Sequence, residues 1–219
     1  MKNIKALLKL EYSYVKTYWI YVLLFFGIAL IMGIANQDGA SFILSLMIFV
    51  VALMTFPFEF TDKSNLNILY GTLPTNRKSI VTARYVFFII LVLVSSVIGI
   101  LGGIIIDAIF TSINMRILLS FLAISVGAAL LLAGWIAPFL FKFGWQKGRV
   151  FFWIAIAVVV ILINIGPLIS IFGVENSFSI FIFVLRNLTV SSFVSLGAGI
   201  VVFAISFLFS QKVYLNKDF

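Results

Sequence analysis

The chain has 219 residues, 63% of them hydrophobic and only 10% charged, far below the roughly 25% charged of a soluble domain. Its net charge of +8 at pH 7 sits in short gaps beside apolar runs with no aromatic-interleaved surface, which excludes nucleic acid and points to anionic lipid as the partner of these cations. Without cysteine or histidine there is no disulfide framework, no thiolate chemistry, no Ser-His hydrolase and no His-ligated metal site.

A hydrocarbon core about 30 Å thick takes roughly 20 apolar residues at ~1.5 Å rise each. Six runs meet that length: Tyr18 to Ala35, Ala40 to Phe58, Tyr85 to Phe110, Ile117 to Phe141, Val150 to Phe172 and Leu188 to Ser210. Of the basic residues, all but Arg116 and Arg186 fall at the N-terminus or in every second gap thereafter. Cationic loops resist translocation, so this asymmetry predicts an all-α membrane protein of six spans with both termini cytoplasmic. Residues 1–219 then form a single transmembrane domain. The first run is too long for a signal-peptide core and has no small-residue cleavage motif, so it is expected to remain as an anchor.

In chain order, residues 1–16 come first and read as an interfacial helix. A wheel at ~100° per residue gathers Lys2, Lys5, Lys9 and Lys16 on one side, opposite Ile4, Leu7, Leu8, Tyr14 and Val15. Glu11 projects from the apolar side, where lipid would penalise it, so that face is expected to meet protein. No charge lies at the centre of any span: Glu59 and Asp62 end the second, Asp107 nears the outer end of the third, and Lys142 ends the fourth. Ion-coupled carriers place ionisable groups at mid-bilayer, and this chain has no such set.

Residues 59–84 make the longest cytoplasmic segment. Leu66, Leu69, Tyr70 and Leu73 follow the i, i+3, i+4, i+7 spacing of one helical face. Thr61 or Ser64 can cap a short helix there, Gly71 and Pro74 can end it, and Thr75 can cap the next. Further on, Ser95, Gly99 and Gly103, then Ala123 and Gly127, then Ser195 and Gly199 form small-residue ladders that let helices approach closely, read first as packing within the chain. Asn164, Gly166 and Pro167 interrupt the fifth run and predict a kink, because proline removes a backbone hydrogen bond. Residues 173–190 exceed a tight turn and contain an apolar run, Phe178 to Leu185, too short to cross as a helix; a re-entrant or interfacial outer segment is expected.

In its interfacial helix, six spans, segment Glu59 to Asp62, phrase Leu73-Pro74-Thr75-Asn76-Arg77-Lys78 followed by Ala83-Arg84-Tyr85, and long outer connection, the whole chain resembles permease subunits of type-2 ATP-binding-cassette exporters. Among these it looks most like small bacterial permeases that export phenol-soluble modulins. The resemblance implies the type V exporter architecture in the cell membrane and a non-catalytic chain that binds no cofactor. ATP and magnesium would belong to a separate cassette ATPase, consistent with the missing phosphate loop: Gly144 to Gly148 encloses too few residues and lacks the following lysine and hydroxyl. It also implies that Leu66, Leu69 and Tyr70 plug into that ATPase, with Glu59, Asp62 and Lys63 setting polar contacts and Lys142, Lys147 and Arg149 a second contact. A second permease, identical or related, would complete the path, with the second and fifth spans lining it. Amphipathic peptide is the implied substrate. The competing class is a non-transporting membrane immunity or sensor protein.

Overall fold

The computed structural model describes residues 2–63, 77–171 and 187–215, and every element in them is an α-helix. In order these are α1 (Lys2–Thr17), α2 (Trp19–Asn36), α3 (Gly39–Lys63), α4 (Arg77–Phe110), α5 (Met115–Ile171) and α6 (Leu188–Leu215). Five of them, α2 to α6, are long and apolar enough to cross a membrane. Residues 64–76 lie outside the described residues, and with them the expected plug of Leu66, Leu69 and Tyr70. The 173–190 expectation lies outside them too, apart from its last residues, Asn187 to Val190. So do the side chains of Asn164, Gly166 and Pro167.

α3 is the centre of the bundle. In its apolar window 67% of residues are buried, against 11% for α2, whose face of Ile20, Leu24, Ile28 and Ile31 is exposed. Phe58 of α3 shares a core with Ile80, Val81, Phe88, Ala133, Ile136, Ala137, Leu140 and Phe141, all with apolar side chains that favour burial against one another. Helices that expose long rows of apolar side chains are stable where lipid replaces water, and α2, α6 and α4 from Ile89 onward do so.

Two close approaches fix the bundle. At the α5–α6 crossing, a Cβ on Gly127 would stand 2.5 Å from the backbone carbonyl of Ser195, and one on Gly199 equally close to the carbonyl oxygen of Gly127. The small-residue ladders of these two helices therefore serve packing within the chain, and the Ser195 hydroxyl donates to the Ile124 carbonyl across the same seam at 3.1 Å. At the end of the bundle away from α1, the backbone N–H of Gly39 donates to buried Asp107 at 2.7 Å. Asp38 caps α3 there through the N–H groups of Ala40 and Ser41 at 3.1 and 3.2 Å.

The expected loop Lys142 to Arg149 is instead a corner of one residue. α5 keeps helical dihedrals over Met115–Ile171 except at Gly144, with φ 73° and ψ −177°. A straight helix would separate residues twelve apart by about 18 Å, yet the rings of Phe139 and Phe151 stack at 4.2 Å. The chain doubles back at Gly144, so α5 is two helices sharing a corner. Only glycine adopts that backbone without strain, and a Cβ there would also meet Asp62 at 2.8 Å.

Candidate functional site

Polar chemistry gathers where α1, the last turns of α3, the first turns of α4, the Gly144 corner and the C-terminal part of α6 meet. α3 continues helically through Lys63, which decides how the acidic residues of this stretch are used. Glu59 and Lys63, four apart on one face, pair at 2.6 Å, an exposed contact of small energetic weight. Asp62 points elsewhere. Its carboxylate accepts the backbone N–H of Trp145 and, at 3.4 Å, that of Gln146. These are first-turn donors of the helix that follows Gly144, so Asp62 acts as an N-cap supplied by another helix.

One residue earlier, Thr61 donates to the Pro57 carbonyl at 2.5 Å and accepts from the Arg84 guanidinium at 2.8 Å. Arg84 is buried, and its Nε donates to Glu11 at 3.2 Å. The guanidinium also lies 4.1 Å from the centre of the Phe58 ring, within cation–π range. Here is the protein partner expected for Glu11: α1 docks its carboxylate, 2% exposed, onto the first turns of α4. Burial pushes the Glu11 carboxyl above the usual carboxylate range, and the charge and hydrogen bond of Arg84 offset this in part. The second Glu11 oxygen has no hydrogen-bond partner.

α1 is a helix as the lysine wheel requires, with Leu7 and Glu11 buried and Lys9 and Lys16 exposed. Lys142, Lys147 and Arg149 are exposed around the Gly144 corner. The site thus brings together Glu59, Asp62 and Lys63 with the basic corner, and adds Arg84, Thr61, Phe58 and Gly144, to which the sequence reading gave no part in it. Deeper on the same side, the Tyr85 hydroxyl bonds Ser206 and Ser210 of α6 at 2.7 and 2.8 Å. Among the described residues no cluster of acidic side chains has a metal-holding arrangement.

Between α2 and α3, on the half nearest α1, Tyr18, Tyr21, Phe25, Phe49 and Phe56 form a strip of neighbouring rings. Tyr18 lies 4.8 Å from Phe56, and Phe25 stacks on Phe49 at 4.8 Å. None of the five is fully buried, so the strip presents an aromatic face to whatever occupies the surrounding apolar phase.

Five long apolar helices, with the Glu11–Arg84 and Asp62 contacts gathered at the α1 end, define a multi-pass helical membrane protein. The chain belongs to the ABC-2 family transporter proteins, whose family model matches residues 6–215. It is therefore of the permease type, the transmembrane and generally non-catalytic component of an ATP-binding-cassette transporter, in a family where the ATPase is a separate subunit. The comparison with curated proteins gave no match.

Proposed function

We propose that this chain is the permease subunit of an exporter that moves amphipathic or hydrophobic peptides outward, driven by a separate cassette ATPase. In this reading α1 and the Gly144 corner are cytoplasmic, both ends of the chain lie inside, α5 provides two of six spans, and two permeases enclose the path in the type V manner. The family match over residues 6–215 carries the reading. The network at the end of α3 supports it, because residues 64–76, expected to plug into the ATPase through Leu66, Leu69 and Tyr70, leave directly from Lys63.

A peptide helix of the phenol-soluble modulin kind already lies in the inner leaflet with its apolar face down. The partly exposed strip of Tyr18, Tyr21, Phe25, Phe49 and Phe56 begins at that depth. Aromatic faces take many apolar side chains without a unique polar readout, which suits a substrate class defined by amphipathicity. ATP binding would draw the inner ends of the two permeases together and change which side of the path is open. The test is Tyr70→Ala: ATP-dependent uptake of an amphipathic helical peptide into inverted vesicles, where export runs inward, is lost while membrane insertion is normal. Export at the wild-type rate would refute the coupling assignment.

A further inference from the structure

We infer that Asp62 is a positioning residue that clamps the Gly144 corner to the end of α3, so that this corner and the end of α3, from which residues 64–76 leave, move as one body. The inference rests on the reading that an ATPase drives the chain through residues 64–76, and it changes the part Asp62 plays in it. The resemblance assigns Asp62 to polar contact with the ATPase. Its carboxylate is instead turned inward, accepting the N–H groups of Trp145 and Gln146.

Three features make this more than a local cap. Gly144 doubles the chain back with a conformation that only glycine takes freely, and its missing side chain leaves the space that the Asp62 carboxylate fills. The first N–H groups of a helix find no acceptor within that helix, and here a carboxylate on α3 meets those of the returning one. The neighbouring residue Thr61 binds Arg84, which binds Glu11, so α3, α4 and α1 are joined within one turn of the clamp. A pull on residues 64–76 is thereby handed to the basic corner and its helix, which needs no separate push from the ATPase.

Cap and ionic contact make opposite demands on a conservative change. Asparagine keeps an acceptor oxygen and caps helices about as well as aspartate, but it carries no charge for a cationic partner. Because the chain has no native cysteine, Lys63→Cys and Lys147→Cys can be spin-labelled selectively in the complex with its ATPase. Their separation is then read by electron paramagnetic resonance without nucleotide and with ATP trapped. The clamp predicts a narrow distribution that does not shift between the two states, a loss of that narrowness in Asp62→Ala, and its return in Asp62→Asn.

A shift with ATP in the wild-type background overturns the single body. Wild-type narrowness in Asp62→Ala overturns the clamp, and Asp62→Asn as broad as Asp62→Ala assigns the role to charge and overturns it as well. A second pair, Lys63→Cys with Ser112→Cys, spans the bundle and reports whether ATP moves this end at all. If it fails to respond, the ATP-driven reading falls, while the widths in Asp62→Ala and Asp62→Asn still decide the clamp.

Discussion

Removing the Glu11 carboxylate separates α1 from the bundle in a way the geometry makes quantitative. Glu11→Leu takes the Glu11 carboxylate away from the buried Arg84 guanidinium, and arginine cannot shed its proton to escape. Breaking a buried pair from one side costs about 3–5 kcal/mol. The Thr61 bond and the Phe58 ring remain in place, and the latter is worth about 1–2 kcal/mol when desolvated, so the lower half of that range is expected. Arg84→Met costs less, about 2–3 kcal/mol, because the stranded carboxyl can take up a proton and burial already favours that form. Replacing both partners together removes the desolvation of two charges, and the double variant is expected within about 1 kcal/mol of wild type. The assay is a denaturant titration of the detergent-solubilised protein, with hydrogen exchange of residues 2–17 reporting the docking of α1. Additive losses in the double variant, or a Glu11→Leu loss below about 1 kcal/mol, would refute the reasoning.

Other perturbations follow from single contacts. Gly144→Ala forces a side chain into a glycine-only conformation and against Asp62, and thermal unfolding should report a loss of about 2–3 kcal/mol; unchanged stability would mean that the corner relaxes freely. Gly127→Ala pushes α5 from α6 where the Ser195 backbone leaves no room, and should destabilise by about 1–3 kcal/mol in the same measurement. Asp107→Ala removes the buried acceptor of the Gly39 N–H and should cost about 1.5–3 kcal/mol, with faster hydrogen exchange at the start of α3 than at its end.

Composition and charge asymmetry made the helical membrane character legible, because burying about 20 apolar residues in lipid leaves few alternatives. The N-terminal helix and its contact with protein were legible for a related reason: lysines on one face leave Glu11 on the other, and an acid on an apolar face requires a protein partner. That partner, Arg84, was not nameable, since the pair joins residues 73 apart and periodicity carries no information on which helices adjoin. The helix through Arg77 to Arg84 was expected from the Thr75 cap, but the continuation of α3 through Glu59 to Lys63 was not, because those charges read equally well as a helix end, whereas the Glu59–Lys63 pair and the inward Asp62 let it run on. The corner at Gly144 was hidden by its neighbours. Lys142, Lys147 and Arg149 suggested a polar loop, and only the long-range cap from Asp62 lets a single glycine replace it.

An ATPase partner engaged through residues 64–76 is central to the proposed function, and the most direct measurement is to purify the tagged chain gently from its native membrane and identify its companions by mass spectrometry, alongside a Leu66→Ala, Tyr70→Ala double variant. A stoichiometric phosphate-loop ATPase that accompanies the wild type and is lost from the variant is the predicted result. A wild-type chain that purifies from an intact membrane without any such ATPase would contradict the exporter reading and leave a non-transporting membrane protein in its place.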